Sequence, residues 1–306
     1  MLPVSSTRFS TLVVCCGLGA VFFLNFSLSN FLVAPTTRTV LPSSPIRQHE
    51  KPVTLPRYAT LVWNHSRSSR GQQSYEQYSV VSLAISASSP CNVLVFGCGS
   101  DSPLYYWANR MSGSFTQYIE DNMRWIKVVK EQFTNDKSLT REMLARIDIS
   151  NVKYTTKAEA FLDAFKQRAV CAFAAMDSVR TNYRSVFDYR LWTVILVDAP
   201  LGIIHGRSQS MYLAFLHTHR ALQGGIPMVH VFVHDSQRTA EATYADAMFG
   251  TRYHLLNRFY EAEQRLLSGY MRYYMCDNDW ASRHTTAHFT EIFKNSQYSN
   301  CSSITM

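Results

Sequence analysis

The chain has 306 residues, 46% hydrophobic and 17% charged, which suffices for one sizeable α/β domain with appendages and excludes wholesale disorder. Its formal net charge is +8 and its pI about 9.1. A basic balance can serve nucleic acid, a membrane surface or an acidic substrate. Here Lys and Arg are scattered and no nucleic-acid signature appears, so an anionic substrate fits at least as well.

Residues 1–10 read as a short tail. Residues 11–34 carry no charge and are dominated by Val13, Val14, Leu18, Val21, Phe22, Phe23 and Leu24. A spanning helix needs about 20 mostly apolar residues, so this stretch is expected to be an uncleaved transmembrane signal anchor. A cleaved signal peptide fits less well, because the run is long for an h-region and lacks a small-x-small cleavage site. Arg8 precedes the span, while Arg38, Arg47, Lys51 and Arg57 follow it, which counts against a lumenal C-terminus. Sequons at Asn64-His65-Ser66 and Asn300-Cys301-Ser302 count for one.

Residues 35–76 read as a stem rich in Pro, Ser and Thr. Cys15 and Cys16 lie inside the apolar run. Cys91, Cys98, Cys171, Cys276 and Cys301 form no framework and no CxxC pair, so no metal site is assigned.

Residues 77–276 carry the domain. Strands are expected at 91–96, 114–119, 152–155, 192–197 and 227–233. Helices are expected at 101–111, 122–133, 157–165, 208–222 and 238–248. Their alternation implies right-handed βαβ units and a mostly parallel sheet. Residues 277–306 form an aromatic and polar tail with no element assigned.

Four strand ends carry chemistry. Val93-Leu94-Val95-Phe96-Gly97-Cys98-Gly99-Ser100-Asp101 runs a strand into a glycine turn and then a helix. Gly97 and Gly99 let backbone approach a ligand without a Cβ, and the helix start, with Asp101, offers it polar groups. Glu120 and Asp121 close the next strand, where an acid accepts hydrogen bonds from both ribose hydroxyls of a nucleoside cofactor. The third glycine of the dinucleotide fingerprint is absent, which favours S-adenosylmethionine over NAD. Asp198 ends a buried strand at the crevice edge. His234 and Asp235 end the following strand; either is suited to take a proton from an acceptor hydroxyl. His230 reads as a core histidine. Arg238 is either a clamp for a substrate carboxylate or a helix-surface arginine.

Four blocks now carry a family resemblance: Ser89 to Gly99; Tyr118-Ile119-Glu120-Asp121 with Trp125; Val197-Asp198-Ala199-Pro200-Leu201-Gly202; and Val233-His234-Asp235 with Arg238, Glu241 and Tyr244. In this order, over about 77–275, they resemble the plant glucuronoxylan 4-O-methyltransferase and irregular-xylem family. The resemblance implies a Rossmann-like fold and a type II Golgi membrane protein with a lumenal domain. It also implies methylation of uronic acids on xylan or arabinogalactan from S-adenosylmethionine; some members are tied to xylan assembly with no assigned reaction. Ser100 replaces the histidine of the plant Gly-x-Gly-His-Asp-Ser turn, and the loop through His205 also differs.

The expectation is an anchored, Rossmann-like S-adenosylmethionine methyltransferase fold. Gly97, Gly99, Asp101, Glu120 and Asp198 would hold the cofactor. His234, Asp235 and Asp198 would be catalytic. Arg238 and His205 would meet an acidic polysaccharide. No metal ligands are assigned and the divalent-metal requirement stays open, as does oligomeric state. The alternatives are a non-catalytic accessory protein for polysaccharide synthesis and, third, a nicotinamide-dependent enzyme.

Overall fold

The structure is a computed structural model, and it describes residues 73–156, 158–182, 190–200, 206–256 and 269–294. The anchor at 11–34, almost all of the stem, both sequons and His205 lie outside the described residues. Among the described residues, no helix is long and apolar enough to cross a membrane.

Helix α1 (Tyr75–Ser88) starts ahead of the boundary read at residue 77. A capping box sets that start: the Ser74 hydroxyl accepts from the Gln77 N–H at 3.2 Å, and Gln77 Oε1 accepts from the Ser74 N–H at 3.0 Å. There follow β1 (Asn92–Phe96), α2 (Ser102–Ala108), β2 (Phe115–Glu120), α3 (Met123–Asn135), α4 (Arg141–Leu144) and β3 (Ile147–Asn151). Three short helices come next, α5 (Ala158–Lys166), α6 (Val170–Asp177) and α7 (Val179–Asn182). Then come β4 (Val194–Val197), α8 (Arg207–Gln223), β5 (Val229–Val233), α9 (Thr239–Phe249), β6 (His254–Leu256), β7 (Met271–Cys276), α10 (Asn278–Arg283) and α11 (Thr286–Lys294).

The sheet order is β3-β2-β1-β4-β5-β7-β6. The first five strands pair in parallel, and β7 runs antiparallel to both neighbours. The central strands are continuous apolar runs because helices cover both faces. Leu94, Phe96, Ile195, Val197, Val231 and Val233 meet α5, α6, α8 and α9 on one face. Val93, Val95, Val194, Leu196 and Phe232 meet α1, α2 and α3 on the other. This is a Rossmann-like, doubly wound arrangement with β7 inserted antiparallel. The strand order reverses between the parallel neighbours β1 and β4, and the crevice beyond their carboxyl ends is where open α/β sheets bind ligands.

Two readings are corrected. The third strand lies at Ile147–Asn151, not 152–155. It is the sheet edge, so none of its residues is fully buried and Ile147, Ile149 and Ser150 are half covered. Val152 and Tyr154 are buried just beyond its end, which mimics a strand pattern. The described part of the tail, 277–294, also carries helices. Asp277 caps α10 through the Trp280 N–H at 2.8 Å, and Trp280, Phe289 and Phe293 join the core.

Candidate cofactor cleft and acid–histidine pair

A cleft of about 370 Å³ opens at the carboxyl ends of β1, β2 and β4. That is within the usual size for a small-molecule site. Gly97, Gly99, Asp101, Glu120, Asp198 and Asp235, all singled out from the sequence, line it.

Gly97 has φ +110°, and a Cβ there would lie 2.7 Å from the Ala199 Cβ. Only glycine fits, because β4 turns against β1 at this point: the N–H groups of Asp198 and Ala199 both donate to the Phe96 carbonyl, at 2.9 and 2.7 Å. The Gly99 N–H donates to the Ser102 hydroxyl at 3.0 Å, closing the turn onto α2.

Glu120 is 4% exposed, and its two oxygens accept from the N–H groups of Cys98 and Asn122, each at 2.8 Å. The carboxyl is thereby fixed between the glycine turn and the start of α3, with lone pairs left for ribose hydroxyls. Burial pushes it up to about 7, against the pull of those two hydrogen bonds. Trp125, 37% exposed on α3, lines the same end of the cleft.

Asp101 stands before α2 but makes no capping bond. Its Oδ2 accepts from Tyr78 at 3.4 Å and from Tyr105 at 3.5 Å. Burial, then the charge of Asp198, pushes it up to about 7.

Asp198 and His234 are brought together by the β4–β5 pairing, Asp198 Oδ1 lying 2.6 Å from His234 Nδ1. The Asp198 Oδ2 accepts from the Gln73 amide at 3.1 Å. Burial alone would raise Asp198, but His234 and Arg207 overcome it and hold the carboxyl below its ordinary value. Burial alone would lower His234; Asp198 and then Asp235 reverse that and hold the ring above its ordinary value. This is a carboxylate-oriented histidine, the form used for general bases. Its Nε2 is buried with no hydrogen-bond partner among the described residues, and His234 itself is not part of the cleft lining.

Asp235 sits at φ +60° in an ionic cluster. Its Oδ2 lies 2.9 Å from Arg238 and 3.5 Å from Arg207. Arg238 also reaches Glu241 at 3.4 Å, so its guanidinium is committed internally while its side chain stays 29% exposed. His230 is a core residue, bonded to the Tyr273 hydroxyl at 2.7 Å and lowered by burial to about 4.

Sequence reasoning missed Arg207 and Gln73. Arg207 is 2% exposed and donates to the carbonyls of Pro200, Val197 and Asp198 at 2.9, 3.2 and 3.2 Å. It fixes the loop after β4 from the first turn of α8. A lone Arg after a Gly gives no sequence signal for that long-range role. The cleft lining thus holds Asp101, Glu120, Asp121, Asp198 and Asp235 against the single guanidinium of Arg207. The chain is basic overall, but this cleft is acidic. It suits a cationic ligand and opposes a pyrophosphate. Among the described residues, no group of three or more His, Cys, Asp or Glu is placed to hold a metal ion.

A family model described as IRX15/IRX15L/GXM matches residues 76–258. Glucuronoxylan 4-O-methyltransferase 2 of Arabidopsis thaliana is 29% identical over 249 residues, covering 76% of this chain and 81% of that protein. Protein IRREGULAR XYLEM 15 of the same plant is 28% identical, covering 72% and 70%. Arabinogalactan O-methyltransferase 2, also from that plant, is 27% identical, covering 60% and 62%. The SAH-bound Podospora anserina methyltransferase PaMTH1 overlays 86% of this chain and all of its own at a TM-score of 0.43 and 12% identity, too loose an overlap to bear on function.

Proposed function

This chain belongs to the IRX15/IRX15L/GXM family, and from that premise we propose that it is an S-adenosylmethionine-dependent O-methyltransferase acting on uronic-acid side chains of a cell-wall or secreted polysaccharide. The observation that carries the reading is one acidic cleft lined by a ribose-type acid, Glu120, and by Asp198, the carboxylate that orients His234 just behind the lining. S-adenosylmethionine carries a net positive charge, which five lining carboxylates favour; the anionic pyrophosphate of NAD meets the opposite field. Glu120 would hold the ribose, Gly97 and Gly99 would admit the cofactor backbone-close, and Asp101 would face its cationic amino-acid end.

When bound, S-adenosylmethionine would supply an electrophilic methyl group on a sulfonium sulfur that leaves as a neutral thioether. His234 takes the hydroxyl proton at Nε2, with Nδ1 held by Asp198. Asp235 serves better as a charge partner of Arg207 and Arg238 than as the base. Positioning of the hydroxyl supplies most of the remaining rate. The uronate contact falls to His205 and to Arg238, which would exchange Asp235 for the substrate carboxylate.

We also propose a Golgi-lumen location behind the anchor at 11–34. Asn64 supports it, and so does Cys171, which is disulfide-bonded: disulfides persist in oxidising compartments.

A second reading, an accessory protein for polysaccharide synthesis that keeps the fold without turnover, draws support from the enclosed Nε2 of His234 and from a cleft whose one guanidinium is already engaged. Radiolabelled methyl transfer by the purified chain to a panel of acidic glycans separates the two. Transfer to a glucuronic-acid glycan is expected. Cofactor binding with no transfer to any glycan would favour the accessory role.

A further inference from the structure

Gln73 lies ahead of the family match, on the segment leading into α1, yet it is 1% exposed and reaches the carboxylate after β4. Its Nε2 donates to Asp198 Oδ2 at 3.1 Å, and its own N–H donates to the Tyr78 hydroxyl at 3.3 Å. Its Oε1 is buried and has no partner among the described residues. The segment is pinned at its far side by Gln77, whose amide donates to the Gly269 carbonyl at 2.7 Å.

A carboxylate held at one oxygen only can rotate about its terminal torsion, which is broad and roughly two-fold. Asp198 is held at both: His234 takes Oδ1 and Gln73 takes Oδ2. The amide is therefore what leaves Oδ1, and not Oδ2, for the ring. Which nitrogen of a histidine carries the proton is set by the hydrogen bond the other makes.

We propose that Gln73 is a positioning residue for methyl transfer: its side-chain amide locks the Asp198 carboxylate, so that His234 is held as the Nδ1–H tautomer with Nε2 left as the proton-accepting atom. The idea rests on the methyltransferase reading for its kinetic consequence but not for its structural one. The charged and titratable groups around this contact are Asp198 after β4, Asp101 before α2, Tyr78 of α1, Tyr105 of α2, His234 and Asp235 after β5 and Arg207 of α8.

The test uses Gln73→Leu and Gln73→Glu in the full chain. Nitrogen-15 NMR of the His234 ring reads the tautomer directly. Wild type is expected to show Nδ1–H when neutral, and Gln73→Leu a mixture. Kinetically, Gln73→Leu is expected to lower kcat about 10–100-fold, the scale of a misplaced catalytic group, with the KM for cofactor nearly unchanged. Gln73→Glu gives a signature that a packing role cannot. A glutamic acid donates to Asp198 only while protonated, and burial beside a like charge keeps it so at low pH. Its relative activity against wild type should therefore fall as pH rises.

An unaltered His234 tautomer in folded Gln73→Leu overturns the proposal, whatever the activity. So does a Gln73→Glu profile parallel to wild type. If wild type transfers no methyl group, the functional reading fails, and the NMR result still decides the role of Gln73.

Discussion

Glu120 and Cys98 are joined by a 2.8 Å hydrogen bond from backbone N–H to carboxylate, which ties the end of β2 to the glycine turn after β1. The acid that would bind ribose thus also shapes the turn beneath the cofactor. Glu120→Ala should remove a charge-assisted contact of about 1.5–3 kcal/mol and loosen the turn. Calorimetry should find S-adenosylmethionine affinity down by roughly ten- to a hundredfold. Unchanged affinity in a folded variant would remove Glu120 from the site.

Proton linkage is a second consequence. Glu120 and Asp101 are each pushed up to about 7, chiefly by burial, so both bind protons at pH 6 that the unfolded chain has lost. A cationic ligand favours their ionised forms. Cofactor affinity should rise from pH 6 to pH 8, with proton release detectable by calorimetry in buffers of different ionisation enthalpy. In the free protein their contribution to stability should fall from about pH 4 to about pH 7 and level off above, because only in that window does the native state hold protons the unfolded chain has lost. Proton uptake on binding would contradict this.

Gly97→Ala tests the turn itself. The new Cβ meets Ala199 at 2.7 Å, and φ +110° is strained for any L side chain. Strain of this kind costs about 1–3 kcal/mol, so the melting temperature should drop by several degrees and cofactor binding should weaken with it. A variant as stable as wild type would mean that β1 and β4 can separate here.

Much of this was legible in the sequence. Strands β1, β4 and β5 announce themselves as largely apolar runs ending at Gly97, Asp198 and His234, because buried parallel strands have no polar face and the crevice lies at their ends; β2, with Thr116 and Gln117 inside it, is marked instead by Tyr118-Ile119 closing on Glu120. The edge strand β3 was not legible, since Asp148 and Ser150 interrupt it while Val152 and Tyr154 beyond it are buried. Helix α1 had a readable signal, the Ser74-to-Gln77 capping box, hidden by the Pro-rich stem before it. Gln73 and Arg207 act across 125 and 9 residues on the same Asp198, and only tertiary structure brings them there. The acidity of the cleft runs against the basic whole chain, so net charge misleads about the pocket.

Arg207 makes a fourth prediction. Its guanidinium lies among three carbonyls, Asp235 and Glu241, with 2% exposure. Arg207→Met leaves Asp235 and Glu241 sharing Arg238, with His234 3.9 Å from Asp235. Breaking a buried ionic cluster from one side costs about 3–5 kcal/mol, and Lys should not rescue it, because one ammonium cannot meet that fork of acceptors. Urea denaturation gives the value. A loss below about 1 kcal/mol would show the cluster to be well solvated.

The most direct test of the account is methyl transfer to a glucuronic-acid glycan by wild type, His234→Ala and Asp198→Asn, followed across pH. The account predicts that wild type transfers a methyl group with a rate that rises with pH through a midpoint above the ordinary histidine value of 6.5, since Asp198 holds the ring charged. It predicts that His234→Ala loses about 10²–10⁴-fold in rate while still binding cofactor, and that Asp198→Asn loses turnover and the elevated midpoint together. Full activity in His234→Ala, or a wild-type chain that binds S-adenosylmethionine and methylates no acidic glycan, would contradict it.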